Sequence, residues 1–291
     1  MSQGGKGAGM TGSRALNVDL HCHSTVSDGV LAPSEVALRA RANGVQLWSL
    51  TDHDELSGLE AAERTAAEVG MRFVAGVEVS ATWAGQTVHV VGLGIDRTDP
   101  ALNAALRGIR TGRVERARKI GQRLEAMGIA GGYEGALPYA ANPALISRTH
   151  FARFLVAQGY CKTMQSVFDK YLGDNGPANV PVHWSRLEDA VRWITGAGGR
   201  AVMAHPGRYR YSPTQYGALF DDFKDMGGSA IEVITGSHSI DEYRQYADVA
   251  RRYGFMASCG SDFHSPSESR IDLGALPALP GDLRPVWHDW V

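Results

Sequence analysis

Short apolar runs recur along the chain, and most of them lead into a side chain that is able to bind a metal ion. Runs of roughly four to eight apolar residues bounded by polar residues or glycine are typical of buried strands. The runs cover residues 17–20, 45–50, 71–77, 87–88, 200–204 and 255–259. The polar group comes at or just past the C-terminal end of most runs, whereas His89 lies inside its run.

Helical patterns alternate with these runs, and a glycine closes most of them. Residues 33–43 begin with Pro33, a residue favoured at the first position of a helix, and stop before Gly44. Similar patterns cover residues 54–69, 185–197, 213–226 and 239–253. Repeated strand and helix units predict a mostly parallel α/β sheet, and at this chain length a barrel-like closure is favoured.

The alternation stops between residues 99 and 180. Residues 101–127 predict one long helix, and further helices are predicted over 149–158 and 163–172, with no comparable strand between them. We therefore predict a flexible leader at 1–14, a barrel made of 15–98 and 181–291, and an inserted helical cap subdomain at 99–180. Insertions on the C-terminal face of a barrel commonly cover the site and select the substrate.

Composition narrows the class of protein. The 291 residues are enough for one large α/β domain, and the formal net charge of −2 gives no global attraction to polyanions, so a nucleic-acid contact must be local. The three cysteines are far apart and odd in number, which argues against a disulfide framework. We expect a cytoplasmic protein without a stable protein partner. We also expect no membrane span, because no apolar run approaches the roughly 20 residues that cross a bilayer.

Imidazoles and carboxylates near the run ends are candidate metal ligands. They are His21, His23, Asp28, His53, Glu78, His89, His205, Asp262 and His264. Strand alternation directs both imidazoles of the triplet 21–23 to one side, and the triplet 262–264 repeats that geometry. Either triplet alone fits a half-exposed strand equally well, but together with the other run ends they predict a multinuclear metal site.

The ligand types indicate the chemistry of this site. Imidazoles and carboxylates without a thiolate cluster suit zinc, manganese or iron. Glu78 and Asp262 are candidates to bridge two ions about 4 Å apart, as in two-metal hydrolases. Such a centre lowers the pKa of a bound water and attracts a phosphoryl group. The predicted reaction is therefore hydrolysis of a phosphate ester by a metal-bound water.

Two arginines are candidate phosphate ligands. Arg208 follows His205 closely in the chain, and Arg148 begins the second predicted helix of the insertion, where free backbone N–H groups also attract an anion. A guanidinium matches phosphate with two parallel hydrogen bonds. The alternative for both residues is a solvated arginine without a role.

Six motifs, in this order, resemble those of the PHP (polymerase and histidinol phosphatase) superfamily. They occupy residues 21–29, 51–54, 76–80, 89–92, 204–206 and 260–264. The resemblance spans about residues 17–270 and implies a distorted (β/α)7 barrel, the PHP fold. It also implies a trinuclear metal centre of divalent ions, with manganese favoured and zinc or iron as alternatives.

The resemblance also assigns the ligands to three ions. The implied sets are His21, His23, Glu78 and Asp262 for one ion, Glu78, His89 and His205 for a second, and Asp28, His53 and His264 for a third. His150 is an alternative to His89 in the second set.

Three further stretches, 146–153, 204–209 and 236–238, resemble the stand-alone bacterial PHP phosphoesterases. Members of that subgroup remove the 3'-phosphate of nucleoside 3',5'-bisphosphates such as pAp, or act as 5'-3' exoribonucleases on 5'-phosphorylated RNA. The resemblance implies that Ser147, Arg148 and His150 bind the 5'-phosphate. It implies that Arg208 and His238 contact the phosphate being cleaved, as transition-state stabilisers or as an acid.

Two other functions remain open from the sequence. A non-catalytic metal-binding module would be expected to have lost ligands or arginines, and neither loss is seen. An amidohydrolase acting on C–N bonds is also consistent with a two-metal site, but no lysine lies at a run end to serve as a carbamylated ligand.

Several residues outside the motifs have a simpler interpretation. The basic run 110–119 either lines a groove for RNA or forms a solvated helix face, and we favour the solvated face. We interpret Trp184 as a packing residue. Tyr209 is a candidate for stacking on a base because it follows Arg208.

Overall fold

The computed structural model describes residues 16–173, 175–182 and 184–291. The predicted leader at 1–14 lies outside the described residues. The strands are β1 (Val18–Asp19), β2 (Leu47–Trp48), β3 (Arg72–Phe73), β4 (Gly76–Trp83), β5 (Gln86–Leu93), β6 (Ser185–Arg186), β7 (Arg200–Met203), β8 (Ala230–Thr235) and β9 (Met256–Gly260). The helices are α1 (Pro33–Ala42), α2 (Leu59–Glu68), α3 (Pro100–Ala126), α4 (Gly132–Ala136), α5 (Arg148–Ala157), α6 (Met164–Val167), α7 (Leu187–Gly196), α8 (Pro213–Asp225) and α9 (Ile240–Tyr253).

The helix predictions are confirmed to within a residue or two at most ends, because side-chain caps and glycines set those ends. The Asp99 side chain accepts a hydrogen bond from the Leu102 N–H and starts α3. Ser239 does the same for α9, which ends at Gly254 in the left-handed conformation. The prediction for 54–69 was wrong at its start, since α2 begins at Leu59.

The prediction of a mostly parallel sheet is confirmed, and the exceptions are the pairs made by β5. Strands β4 and β5 form an antiparallel hairpin, and β5 also pairs antiparallel with β7. The hairpin turns through Ala84 and Gly85, both with positive φ (47° and 78°). That two-residue conformation matches the twist of paired strands. The strand order is β1-β2-β3 in one sheet and β6-β4-β5-β7-β8-β9 in the other.

Hydrogen bonds connect the two sheets on both sides. The Leu20 N–H donates to the Cys259 carbonyl (3.0 Å), and the Glu78 N–H donates to the Thr51 carbonyl (3.2 Å). The approach of β9 to β1 requires a glycine at 260, since a Cβ there would lie 2.2 Å from the His21 Cβ. These connections are consistent with the predicted distorted barrel, and the count of seven strands stays a prediction.

Two hydrophobic cores lie on either side of the candidate site. The first half of α3, through Leu102, Leu106 and Ile109, packs into the core beneath the sheets. The second half, from Ala117 onward, packs with α4, α5 and α6 in a separate cluster. Between α3 and β6 the described residues form no strand. No helix in the described part of the chain combines the length and the apolar character that crossing a membrane would require.

Candidate metal centre

The nine predicted ligands meet at one place, although they come from six segments of the chain. Four of them form the first group. His21 Nε2 lies 3.4 Å from Glu78 Oε2 and 3.6 Å from Asp262 Oδ1, and His23 Nε2 lies 3.3 and 3.2 Å from the same two oxygens. Ligand atoms bound to one ion at about 2.1 Å are separated by about 3.0–3.5 Å. The group therefore has the spacing of a metal site.

A second group shares Glu78 through its other oxygen. Glu78 Oε1 lies 2.9 Å from His89 Nδ1 and 2.9 Å from His205 Nε2, and these two nitrogens are 3.4 Å apart. In the described part of the chain, His150 belongs to no cluster of His, Asp and Glu side chains that has the spacing of a metal site. Its Nδ1 instead accepts the backbone N–H of Ser147 (2.9 Å). The geometry thus favours His89 over His150 at this position.

The third group is formed by Asp28, His53 and His264. Asp28 Oδ1 lies 3.3 Å from His264 Nε2 and 3.9 Å from His53 Nε2. His53 Nδ1 lies 2.8 Å from Glu78 Oε2, so His53 also connects this group to the first. The spacing is wider than in the other two groups.

Glu78 occupies a position that the sequence did not indicate. The run 71–77 was expected to be one strand ending just before Glu78. The chain instead bends after β3, and Glu78 is the third residue of β4. A parallel bridge between His53 and Glu78 brings the two residues together. Glu78 therefore reaches the site from inside a strand, as His89 does from inside β5.

Several buried atoms in these groups fit a cation better than they fit the surrounding protein. Asp28 Oδ1 and Glu78 Oε2 accept no hydrogen bond from the described residues. An unpaired carboxylate oxygen in a buried site is costly unless a positive charge lies next to it. The donor set therefore fits divalent metal ions.

The electrostatics of His23 and His205 point the same way, whereas His264 is shifted in the opposite direction. Burial lowers the pKa of His23 to about 3, and the neighbouring His264 and His53 add to this effect. Burial and Arg208 lower the pKa of His205, also to about 3. Both imidazoles are therefore neutral at pH 7, the form that binds metal. Burial acts in the same direction on His264, but the Asp28 carboxylate outweighs it and raises the pKa to about 9.

Glu232 of β8 is a residue that the sequence reasoning missed. His21 Nδ1–H donates to Glu232 Oε1 (2.8 Å), and the backbone N–H of His205 donates to Glu232 Oε2 (2.6 Å). Burial raises the pKa of this carboxyl, and the bond from His21 opposes the shift. A carboxylate on Nδ1 fixes the tautomer, so that the Nε2 lone pair of His21 faces Glu78 and Asp262. Glu232 is a carboxylate in the fully buried segment Ala230–Thr235, and a buried carboxylate requires a hydrogen-bond or charge partner. This was the available signal that Glu232 has a role in the site.

Replacing Glu232 with glutamine is expected to weaken metal binding by about 10- to 100-fold, the usual effect of losing such an outer carboxylate. Glutamine has one acceptor and two donors, so it cannot accept from both His21 and His205. Affinity is measured by competition with a chelating dye. Glu242→Gln is the matched control, since glutamine also completes the capping box at the start of α9. Equal affinity in the two variants would contradict this role.

Asp52 is a second missed carboxylate, and it holds the loop that carries His23 and Asp28. It accepts bonds from the Ser24 N–H (2.8 Å), the Ser24 hydroxyl (2.6 Å) and the Ser27 hydroxyl (2.6 Å). Ser27 Oγ in turn lies 3.5 Å from His23 Nδ1. Asp52 therefore fixes the ligands of two groups through one loop.

Backbone strain also concentrates here. Among the described residues other than glycine, Asp54, His205 and Asp262 have positive φ (51°, 26° and 55°), as does Ala84 in the hairpin turn. Such conformations cost about 1–3 kcal/mol each and persist where the surroundings impose them. Two of these residues are candidate ligands, and Asp54 directly follows a third.

A cleft of about 120 Å³ opens beside the metal groups. Ser147, Arg148 and Arg208 all line it. Arg208 Nη1 donates to Asp262 Oδ2 (2.8 Å), so this half-exposed guanidinium is held beside the first group. Ser147 Oγ donates to Asp28 Oδ2 (3.2 Å). These three candidate substrate ligands are therefore brought together with the metal groups.

His238 and Tyr209 are not among the side chains that line this cleft. His238 is buried, accepts the Gly207 N–H at Nε2 (3.0 Å) and stacks on Tyr246. Burial lowers the pKa of His238 to about 4. The Tyr209 hydroxyl donates to the Ala204 carbonyl (2.8 Å). In this structure both residues stabilise the 205–208 turn and do not line the cleft.

The basic run 110–119 is not a purely solvated face. Arg113 is buried, lines the cleft and donates to Asp54 Oδ2 and to Ser80 Oγ (2.9 Å). Arg116 also lines the cleft, whereas Arg118 and Lys119 are exposed. Trp184, which we interpreted as a packing residue, lines the cleft beside Arg113 as well as contacting the core.

Comparison with known proteins identifies the family. A family model described as PHP domain matches residues 19–172. The chain belongs to the PHP family. It is 52% identical to a 3',5'-nucleoside bisphosphate phosphatase of Chromobacterium violaceum, over 94% of this chain and 96% of the relative. It is 40% identical to a 5'-3' exoribonuclease of Haemophilus influenzae, over 93% and 97% respectively.

A solved structure supports the fold. It is described as an amidohydrolase from Chromobacterium violaceum with bound sulfate and no metal, and it matches this chain with a TM-score of 0.91 and 52% identity. The match covers 94% of this chain and 95% of that one. The chain thus has the PHP fold, and the names of the two relatives above support a hydrolase of phosphate esters.

Proposed function

We propose that this protein is a metal-dependent phosphoesterase that removes the 3'-phosphate from nucleoside 3',5'-bisphosphates such as pAp. The observation that carries the proposal is the arrangement of the cleft. Three ligand groups lie together at the cleft, two of which share Glu78, and arginines able to bind phosphate line the same cleft. The 52% identity to a phosphatase of this specificity supports the same substrate.

The predicted assignment of ligands to three divalent ions fits the distances, and we retain it. His21, His23, Glu78 and Asp262 would hold the first ion, Glu78, His89 and His205 the second, and Asp28, His53 and His264 the third. Manganese, zinc and iron all suit this donor set, and we favour manganese. When bound, such ions lower the pKa of a coordinated water and offset the charge of the phosphoryl group.

The side chains around the ions orient the substrate. Arg208 uses one N–H on Asp262, which leaves its other donors for the phosphate being cleaved. Ser147 and Arg148 lie at the start of α5 and would bind the 5'-phosphate, while His150 holds Ser147 in place through its backbone N–H. Fixing both phosphates places the scissile bond over the ligand groups.

We revise the predicted role of His238. An imidazole with a pKa of about 4 is neutral at pH 7, so it carries no imidazolium proton to donate as a general acid there. Its acceptor bond from the Gly207 N–H instead fixes the turn that carries Arg208. We therefore propose that Arg208 stabilises the transition state and that His238 is a positioning residue.

A second candidate is a 5'-3' exoribonuclease that trims short 5'-phosphorylated RNA. The 40% identity to such an enzyme favours it. An amidohydrolase and a non-catalytic module fit less well, because neither uses several arginines directed at an anion. Both phosphoesterase candidates need the same metal groups, and they differ in the length of chain that the cleft accepts.

Removal of metal is the first test. The metal-loaded protein is expected to release phosphate from a nucleoside 3',5'-bisphosphate, to lose this activity on chelation and to regain it with Mn²⁺. A 5'-phosphorylated RNA about 20 nucleotides long, assayed in parallel, separates the two candidates by kcat/KM. Failure of the loaded protein to cleave either substrate would overturn the proposal.

We also propose that residues 99–180 act as the predicted cap and that the protein works in the cytoplasm. Six residues of that segment line the cleft and support the cap, namely Arg113, Arg116, Ser147, Arg148, Thr149 and Phe168. Cys22 and Cys259 are buried free thiols close to the ligand groups, which suits a reducing compartment.

A further inference from the structure

The cleft has two chemically different walls. One wall, from the barrel strands, carries the metal groups and Arg208. The opposite wall comes from the helical segment and the residue before β6. It consists of Arg113, Arg116, Ser147, Arg148, Thr149, Phe168 and Trp184. The proposed reaction uses Ser147 and Arg148 from this wall and leaves the aromatic rings without a role.

All three arginines on this wall lie over aromatic rings, and the Arg116 Cζ lies 5.8 Å from the centre of the Trp184 ring. The Arg113 Cζ lies 4.7 Å from the centre of the Trp184 ring, and the Arg148 Cζ lies 5.9 Å from the centre of the Phe168 ring. Cation–π contacts of this kind are worth about 0.5–2 kcal/mol and fix the orientation of both partners. We call Arg113, Trp184, Arg148 and Phe168 the aromatic wall.

Hydrogen bonds hold the guanidinium groups of the aromatic wall in place. Arg113 donates to Asp54 and Ser80, and Arg148 Nη1 donates to the Leu172 carbonyl (3.1 Å). The rings therefore stand against groups that have little freedom to rotate. A preorganised surface binds a flat ligand with a smaller loss of conformational entropy.

Trp184 and Phe168 are both only half-buried, and both face the cleft. They contribute to different hydrophobic cores, since Trp184 packs against the core beneath the sheets and Phe168 against the helical cluster. Packing against these two cores explains the position of each ring. It does not explain why both leave aromatic surface in a cleft that is otherwise lined by charged and hydroxyl groups, where water would contact it.

We propose that the aromatic wall is the subsite for the nucleoside of the substrate, with the base stacked on Trp184 and bordered by Phe168. This inference rests on the proposed function, because it requires one phosphate to lie at the metal groups with Arg208 and the other at Ser147 and Arg148. An anion that carries a flat aromatic group is the ligand that matches alternating guanidinium groups and rings.

The proposal also limits what the enzyme recognises. A stacked base is held by its face, and every base has such a face, so stacking distinguishes poorly among the four bases. We therefore expect adenine, guanine, cytosine and uracil substrates to differ by less than about tenfold in kcat/KM. A substrate without a base is expected to lose about 5- to 100-fold, the range given by a stacking contact.

The test compares two substrates with and without Trp184. A nucleoside 3',5'-bisphosphate and the 1-O-methyl ribose 3,5-bisphosphate differ only in the base. Trp184→Ala is expected to lower kcat/KM about 5- to 100-fold for the first and less than about threefold for the second, mainly through KM. Trp184→Phe should restore most of the loss. Equal losses on both substrates would overturn the proposal.

A matched control is available at Trp290, whose ring is also half-buried. Its ring centre lies 4.7 Å from the Arg200 Cζ, the same separation as in the Arg113 and Trp184 pair, but it is not among the residues that line the cleft. Trp290→Ala removes an equivalent pair without touching the aromatic wall, and its kcat/KM ratio for the two substrates is expected to equal that of the unmodified protein.

The outcomes distinguish this proposal from the proposed function. If the unmodified protein cleaves both substrates equally well, the aromatic wall does not bind the base, but the phosphoesterase remains. If it cleaves neither, the proposed function fails. Calorimetry with adenosine 5'-monophosphate then tests the wall alone. Binding that is lost in Trp184→Ala and retained in Trp290→Ala supports it, and binding that is absent or unchanged overturns it.

Discussion

Glu78→Gln is expected to lower kcat/KM by at least about a thousandfold, equivalent to about 4 kcal/mol of transition-state stabilisation. Glu78 Oε2 belongs to the first ligand group and Oε1 to the second, so this single carboxylate serves both. An isosteric amide keeps the shape but removes the charge that holds two cations close together. We expect the bound metal, measured by elemental analysis, to fall by at least one ion per chain.

The control for this prediction is the same change at Glu63, whose carboxylate pairs with Arg97 on the surface. Glu63→Gln is expected to leave both metal content and turnover unchanged, because exposed ion pairs contribute little. A Glu78→Gln protein with full metal content and normal turnover would remove Glu78 from the proposed centre. Full metal content with lost turnover would restrict its role to the reaction itself.

The sequence was sufficient to predict most of the candidate metal centre because its candidate ligands lie near strand ends. The triplets 21–23 and 262–264 follow β1 and β9 rather than lying within them, and Asp262 has a positive φ, so the expected strand alternation does not hold there. A parallel bridge between Cys22 and Phe263 brings the two triplets together instead. Residues at neighbouring parallel strand ends come together whatever the details of the loops. The structure agrees, since His21 and His23 both lie within 3.6 Å of Asp262.

The position of Glu78 could not be read from the sequence for a local reason. Residues 71–77 are apolar except for Arg72, and no turn dipeptide in this run shows that β3 ends at Phe73 and β4 begins at Gly76. The hairpin that follows turns at Ala84 and Gly85, a weaker turn signal than Asn-Gly or Asp-Gly. The antiparallel strands were therefore missed, although both of their ligand residues were identified.

The residues that position the site are specified by contacts that are distant in sequence. Glu232 bonds to His21 across 211 positions, and Arg113 reaches Asp54 across 59. A basic residue in a run of charges has no local mark that distinguishes a buried arginine from a solvated one. Only the crossing of α3 over the loop after β2 decides which arginine of the run points inward.

Arg113→Met is expected to destabilise the fold by about 3–5 kcal/mol, the effect of leaving a buried charge without its partner. Asp54 is fully buried, and its Oδ1 accepts the Ser80 N–H (2.7 Å) while its Oδ2 faces Arg113. Methionine keeps the apolar stem of the arginine but provides no donor. The free energy of unfolding is measured by urea denaturation in chelator, so that metal binding does not contribute.

Two variants separate the ion pair from the rest of the arginine. Arg107→Met, an exposed change on the same helix, is expected to alter stability by less than about 0.5 kcal/mol. Adding Asp54→Asn to Arg113→Met removes the unpaired charge and should recover at least about 1 kcal/mol, because replacing both partners of a buried ion pair costs less than removing one of them. A double variant less stable than Arg113→Met alone would mean that Asp54 acts mainly through Ser80. The link from α3 to the loop of His53 would then depend on packing rather than charge.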